Sequence, residues 1–205
     1  MAAGKHARGS TSNPDARYFE ETQQSVEDGW DSSDEQPESL KTSVVEERPK
    51  SIIRHNESPD LAFDQSINPY RGCEHCYARP AHAYIDLSPG LDFESRLFSK
   101  PNAATLLRKE LSRKRYQCSV ISLGANNDAY QPIERRLRNS GSILEVLAEF
   151  GPPVTIVSKS WLVERELDLL GPMAAQGLAQ VFISITSLDR VLSRRMEPRA
   201  SPPQR

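Results

Sequence analysis

Cysteine is scarce in this chain, and so are aromatic rings, long apolar runs and any opening stretch that resembles a leader peptide. With three cysteines in 205 residues, a scaffold held by structural disulfides is disfavoured. A Cys-x-x-Cys pair then points to metal binding or redox cycling in a reducing compartment. No apolar run approaches the roughly 20 residues of a membrane span, and no charged-then-apolar segment resembles a signal peptide. The expectation is a cytoplasmic protein without a membrane partner. Hydrophobic content of 37% and a mean hydropathy of -0.59 are low for a chain long enough to hold one real core, so part of it is expected to stay outside that core.

The charge is unevenly spread. Residues 1–60 carry seven Lys/Arg against thirteen Asp/Glu, and residues 61–205 carry nineteen against fifteen. The first stretch is also rich in Ser and Pro, with Tyr18, Phe19 and Trp30 its large aromatics. Such a composition buries too little apolar area to offset chain entropy. Residues 1–58 are therefore read as a disordered acidic extension and 59–205 as the core domain.

From Ser66 onward, short apolar runs alternate with segments of helical period, the pattern of βα units and a parallel sheet. Ile67 to Tyr70 is a poor strand because Pro69 removes a ladder donor, which suits an edge position. Asn102 can cap a helix that turns Leu106, Leu107 and Leu111 inward and leaves Arg108, Lys109, Arg113 and Lys114 in solvent. Ser119–Leu123, Val154–Val157 and Val181–Ile185 read as buried strands. Between them lie a helix carrying Ile143, Leu144, Val146, Leu147 and Phe150, and a second over Leu162–Leu170 with Leu167 and Leu170 inward, broken by Gly171-Pro172. Val120, Ile121, Val154, Ile156, Val181 and Ile183 are expected to be buried. Four polar loops, Arg71–Pro80, Asn126–Glu134, Ser158–Ser160 and Ser184–Asp189, then fall at strand carboxyl ends. In parallel α/β folds that face carries function.

The first of those loops contains the chemistry. Asn68-Pro69-Tyr70-Arg71-Gly72-Cys73-Glu74-His75-Cys76-Tyr77-Ala78-Arg79-Pro80 places two thiols three positions apart on a turn opened by Gly72. That spacing fits an iron-sulfur ligand pair, a zinc knuckle, a redox dithiol or two unremarkable cysteines. A zinc-binding interaction module would draw on Cys73, Cys76, and His75 or His82. Cys118 precedes its strand and lies about six residues from the functional end, roughly 20 Å at about 3.3 Å per residue. It is read as a small buried thiol and not as a ligand.

The wording Asn-Pro-Tyr-Arg-Gly-Cys-Glu-His followed by Cys-Tyr-Ala-Arg-Pro resembles the cluster loop of radical S-adenosylmethionine (radical SAM) proteins. The nearest branch is the one related to spore photoproduct lyase, the DNA repair photolyase-like proteins. The resemblance spans roughly residues 12–200. It implies a partial parallel (β/α) barrel, here about four βα units, and a [4Fe-4S] cluster with Cys73 and Cys76 as metal ligands. It further implies that S-adenosylmethionine meets Asn126, Asp128 or Glu134 at its amino end, Lys159 at its carboxylate, and Ser184 and Thr186 near its ribose. Reductive cleavage to a 5'-deoxyadenosyl radical, an electron donor such as a flavodoxin or ferredoxin, and a nucleic-acid substrate of the kind suggested by the branch's label follow by the same resemblance.

Two departures stand out. The family's loop reads Cys-x-x-x-Cys-x-x-Cys, whereas here the middle cysteine and the aromatic residue before the third are missing. The family's fifth and sixth strands also have no counterpart before Arg205. Two thiolates leave two irons of a [4Fe-4S] cluster without protein ligands, so the chelate argument predicts weak binding or none. An inactive remnant of the family is the corresponding alternative.

Overall fold

A computed structural model of the chain describes residues 41–75 and 79–203. The expectations for residues 1–40, including Trp30, and for Cys76 fall outside the described residues.

The described residues form a mixed α/β structure with two sheets. Its strands are β1 (Ser43–Glu46), β2 (Arg54–His55), β3 (Gln65–Ile67), β4 (Tyr70–Arg71), β5 (Arg96–Ser99), β6 (Ile121–Leu123), β7 (Val154–Ser158) and β8 (Ala179–Ile183). The helices are α1 (Pro80–Ala83), α2 (Leu91–Ser95), α3 (Ala103–Leu111), α4 (Glu134–Leu137), α5 (Asn139–Phe150), α6 (Leu167–Ala175) and α7 (Arg190–Met196), with a 3-10 turn at Trp161–Glu166 before α6. The larger sheet runs β2-β3-β6-β7-β8, and the smaller β1-β5-β4. Pairings β3–β6, β6–β7 and β7–β8 are parallel, and β2 joins β3 antiparallel.

The register of the larger sheet separates two faces. Ile67, Leu123, Ile156 and Val181 align across the four parallel strands, as do Gln65, Ile121, Val154 and Ala179. The apolar members of these rows from β3, β6 and β7 pack with Leu107 and Leu111 of α3, Ile143, Leu144 and Leu147 of α5, and Leu170 and Met173 of α6. The alternate row is Ser66, Ser122, Thr155 and Gln180. Parallel sheets are ordinarily covered by apolar contacts on both faces. Here the second face mixes that polar row with Val157 and Phe182, and Ser66, Ser122 and Val157 border a cavity of about 570 Å³.

Several expectations change. The boundary at residue 58 is too late: β1 pairs with β5, and Ile52 and Ile53 belong to the core. Glu110 of α3 fixes that segment by accepting hydrogen bonds from the backbone amides of Ile52 (2.9 Å) and Ile53 (3.1 Å). Averaging over a predominantly polar stretch of 58 residues conceals so short an apolar pair. The third strand ends at Ile67 and lies inside the sheet, between β2 and β6, because Pro69 falls beyond its ladder.

Helix α6 continues through Pro172 to Ala175, and the segment before it is a 3-10 turn. That change of winding leaves Leu167 exposed while Leu170 is buried. Ile121, Val154 and Ile156 are buried as expected, Val120 is half-buried, and Val181 and Ile183 are exposed at 37% and 50%. The reason is position: β8 is the edge, flanked by β7 alone among the described residues. Cys118 is an exposed free thiol and not a buried one. Asn102 caps α3 by position only, with its amide turned to the Pro49 carbonyl at 3.4 Å.

Candidate functional site

The cysteine loop is held at the carboxyl end of the larger sheet by backbone geometry and by the loop after β6. Gly72 has φ +78°, and a Cβ there would lie 2.8 Å from both the His82 ring and the Leu97 side chain. Only glycine fits that combination of left-handed backbone and close approach. The Cys73 amide donates to the Phe93 carbonyl at 3.0 Å. Gln131 reads the loop from the other side: its amide nitrogen donates to the Gly72 carbonyl (3.1 Å) and its oxygen accepts from the Glu74 amide (3.3 Å). Glu74 also accepts from the Thr42 hydroxyl at 2.6 Å. Cys73, Glu74 and His75 are all buried, and Cys73 is disulfide-bonded. Its sulfur must therefore be reduced before it can act as a thiolate ligand.

Asp128 ties the loops together. Its buried carboxylate accepts from His75 Nε2 (2.8 Å), Ser158 Oγ (2.9 Å), the Lys159 amide (2.7 Å) and the Tyr130 amide (2.8 Å). Burial pushes this carboxyl upward, but the hydrogen bond and charge of His75, with the Lys159 and Tyr130 amides, outweigh it and hold Asp128 below the usual carboxylate range. Lys159 Nζ then contacts Ser184 Oγ (3.2 Å) and pairs with Glu197 (2.9 Å). The four polar loops are thus joined by hydrogen bonds through Asp128 and Lys159. Asn126, Asp128, Lys159 and Ser184 line this cavity together with Ser66, Ser122 and the apolar side chains of Leu61, Phe63 and Val157.

Other candidates lie elsewhere. Glu134 is fully buried and turned inward, accepting from the Tyr70 hydroxyl, the Ser140 and Gly141 amides (3.1 and 3.2 Å) and Arg165 (3.1 Å). Burial raises its carboxyl above the ordinary value. Burial and the Glu134 charge also raise Tyr70, which keeps its proton and donates. Thr186 is exposed and outside the cavity lining. His82 sits edge-on to Phe93 and Phe98, its Nε2 on the Arg96 carbonyl at 2.9 Å, and burial lowers its basicity. Among the described residues, no three of His, Cys, Asp and Glu are grouped to hold a metal ion, and no helix is long and apolar enough to cross a membrane.

Some lining residues escape sequence reasoning. Arg54 and His55 border the cavity from β2, inside the stretch read as a disordered extension. Asn127 also borders it, buried, with neither side-chain polar atom hydrogen-bonded among the described residues. The only available signal was its place in a run of hydrogen-bonding side chains after Gly124.

No family model matches the chain, and no solved structure does. Uncharacterized proteins of Mycobacterium bovis and Mycobacterium tuberculosis are 38% identical to it over 148 residues, covering 70% of this chain and 44% of theirs. An uncharacterized protein of Acidianus two-tailed virus is 29% identical over 151 residues, covering 72% of this chain and 49% of its own. The chain thus spans about half the length of the curated relatives it matches.

Proposed function

We propose that this chain is an iron-sulfur protein of the radical SAM type, in which Cys73 and Cys76 contribute thiolates to a [4Fe-4S] cluster and the cavity lined by Asn126, Lys159 and Ser184 receives S-adenosylmethionine. The observation that carries this reading is the hydrogen-bonded chain from His75 through Asp128 to Lys159 and Ser184. It sets the cysteine loop beside a cavity with a cation and hydroxyls suited to an amino acid carboxylate and a ribose. The mixed lining, with Ser66 and Ser122 beside Leu61, Phe63 and Val157, also suits a ligand with both a polar end and an aromatic or apolar end. A [4Fe-4S] cluster held through Cys73 and Cys76 would supply one-electron reduction to S-adenosylmethionine in the cavity, and the protein's own part would be to bind and orient that ligand. A flavodoxin or ferredoxin is the matching electron donor.

In this reading Lys159 holds the methionine carboxylate while remaining positioned by Glu197 and Ser184. Asn126 lies at the rim, and Asp128 acts by fixing its neighbours, since its carboxylate already accepts four donors. Glu134 and Thr186 are released from cofactor contact by their positions. The alternative for the same loop is a zinc-binding module drawing on Cys73, Cys76, and His75 or His82.

Lys159→Ala tests the assignment. A hydrogen bond to a charged group contributes about 1.5–3 kcal/mol, so S-adenosylmethionine affinity of the reconstituted protein is expected to fall by roughly 10- to 100-fold. Equilibrium dialysis measures it; unchanged affinity would remove Lys159 from the site.

A further inference from the structure

Lys159 does not stand alone at the mouth of the cavity. Its Nζ lies 2.9 Å from Glu197 Oε1, and the Glu197 side chain is only 3% exposed. Glu197 is outside the cavity lining, so it acts on the ammonium from behind and leaves the ligand's path open. Local structure fixes it there. Helix α7 ends at Met196, the Glu197 amide donates to the Ser193 carbonyl (2.8 Å), and the Ser201 amide donates to the Lys159 carbonyl (3.0 Å). The Trp161 amide donates in turn to Ser201 Oγ at 2.8 Å. The segment after α7 is thereby tied to the loop after β7 at Lys159 and Trp161. The ionisable side chains of the lining itself are Arg54, His55, Asp128 and Lys159. Asp128 is matched by His75 at 2.8 Å. Glu197 supplies the negative charge that balances Lys159, and in a partly buried setting a pair this close interacts strongly. It keeps a cavity bordered by Arg54 and His55 from becoming a general anion site.

We infer that Glu197 sets the charge selectivity of this site: by neutralising Lys159 it favours a ligand whose carboxylate arrives with positive charge of its own, and so tilts selection toward the sulfonium S-adenosylmethionine and away from the neutral thioether S-adenosylhomocysteine. The inference rests on the reading of the cavity as the S-adenosylmethionine site. The two ligands share carboxylate, ammonium, ribose and adenine, so hydrogen bonds to Lys159 and Ser184 are common to both. They differ by a methyl group and one positive charge at sulfur. A unit charge about 8–10 Å away in a partly buried setting changes relative affinity by roughly 10-fold.

Equilibrium dialysis of the full chain against each ligand, at low ionic strength, gives the ratio of the two dissociation constants. In Glu197→Gln, which keeps an oxygen for Lys159 and removes the charge, S-adenosylhomocysteine should gain on S-adenosylmethionine by roughly 10-fold. Glu197→Asp keeps the charge and should keep most of the wild-type ratio, and it carries the test if the glutamine variant does not fold. A residue that only supports the fold would weaken both ligands alike and leave the ratio where it was. An unchanged ratio in Glu197→Gln, or a ratio lost as fully in Glu197→Asp, therefore overturns the role of Glu197 and leaves the cavity reading standing. Binding of neither ligand to the wild type overturns that reading and the inference with it.

Discussion

Replacing Glu134 by alanine is expected to destabilise the fold by about 3–5 kcal/mol, the range for removing one partner of a buried charged pair. The change strands the Tyr70 hydroxyl and the Ser140 and Gly141 amides, all of which end on this carboxylate, and removes one of two acidic partners of Arg165. Chemical denaturation compares the two proteins. Glu134→Gln adds a pH signature. The native carboxyl titrates above its ordinary 4.5 because burial disfavours its charge. Between 4.5 and the raised native value the native state binds more protons than the unfolded one, so stability falls as pH rises through that window. Wild type should therefore gain on Glu134→Gln as the pH is lowered toward 4.5. A difference that is flat with pH would contradict the account of this carboxyl.

The second large effect is expected at Asp128. Asp128→Ala removes the acceptor for Ser158, the Lys159 and Tyr130 amides and His75 in one step. The cost is again about 3–5 kcal/mol. Asp128→Asn keeps an acceptor oxygen for some of those donors and should be milder in denaturation. Chemical denaturation of the two variants measures both costs, and an alanine variant as stable as the asparagine one would contradict the account of Asp128 as the shared acceptor.

These two carboxylates also show how far the sequence could be read. Both follow Gly124 in one polar loop, and as residue types they offer the same chemistry. Six residues of chain turn one toward the cysteine loop and the other toward Tyr70 and Arg165, and only the packing of α4 and α5 decides which. The central strands were legible because branched apolar runs stand between strong breakers: Ile121–Leu123 ends at Gly124, and Val154–Ser158 begins after Pro152-Pro153. Ile52 and Ile53 were not, since two apolar residues in an acidic, Ser-rich stretch give no periodicity. What holds them is the Glu110 carboxylate, far away in sequence. The convergence of the four loops followed from parallel topology. The role of His75 did not, because a histidine between cysteines says nothing of which nitrogen is engaged.

The most direct measurement of the central claim is product analysis of the anaerobically reconstituted, thiol-reduced chain incubated with S-adenosylmethionine and dithionite. Dithionite supplies one electron, the sulfonium bond to the ribose carbon breaks, methionine leaves with the electron pair on sulfur, and the ribose carbon takes a hydrogen atom from an organic hydrogen donor added to the assay, giving 5'-deoxyadenosine. The account expects a brown protein whose bound iron and sulfide are equal in number, forming 5'-deoxyadenosine and methionine in equal amounts that rise with the cluster loaded. A fully loaded cluster that forms no 5'-deoxyadenosine, or a colourless chain that takes up stoichiometric zinc instead of iron, would contradict it.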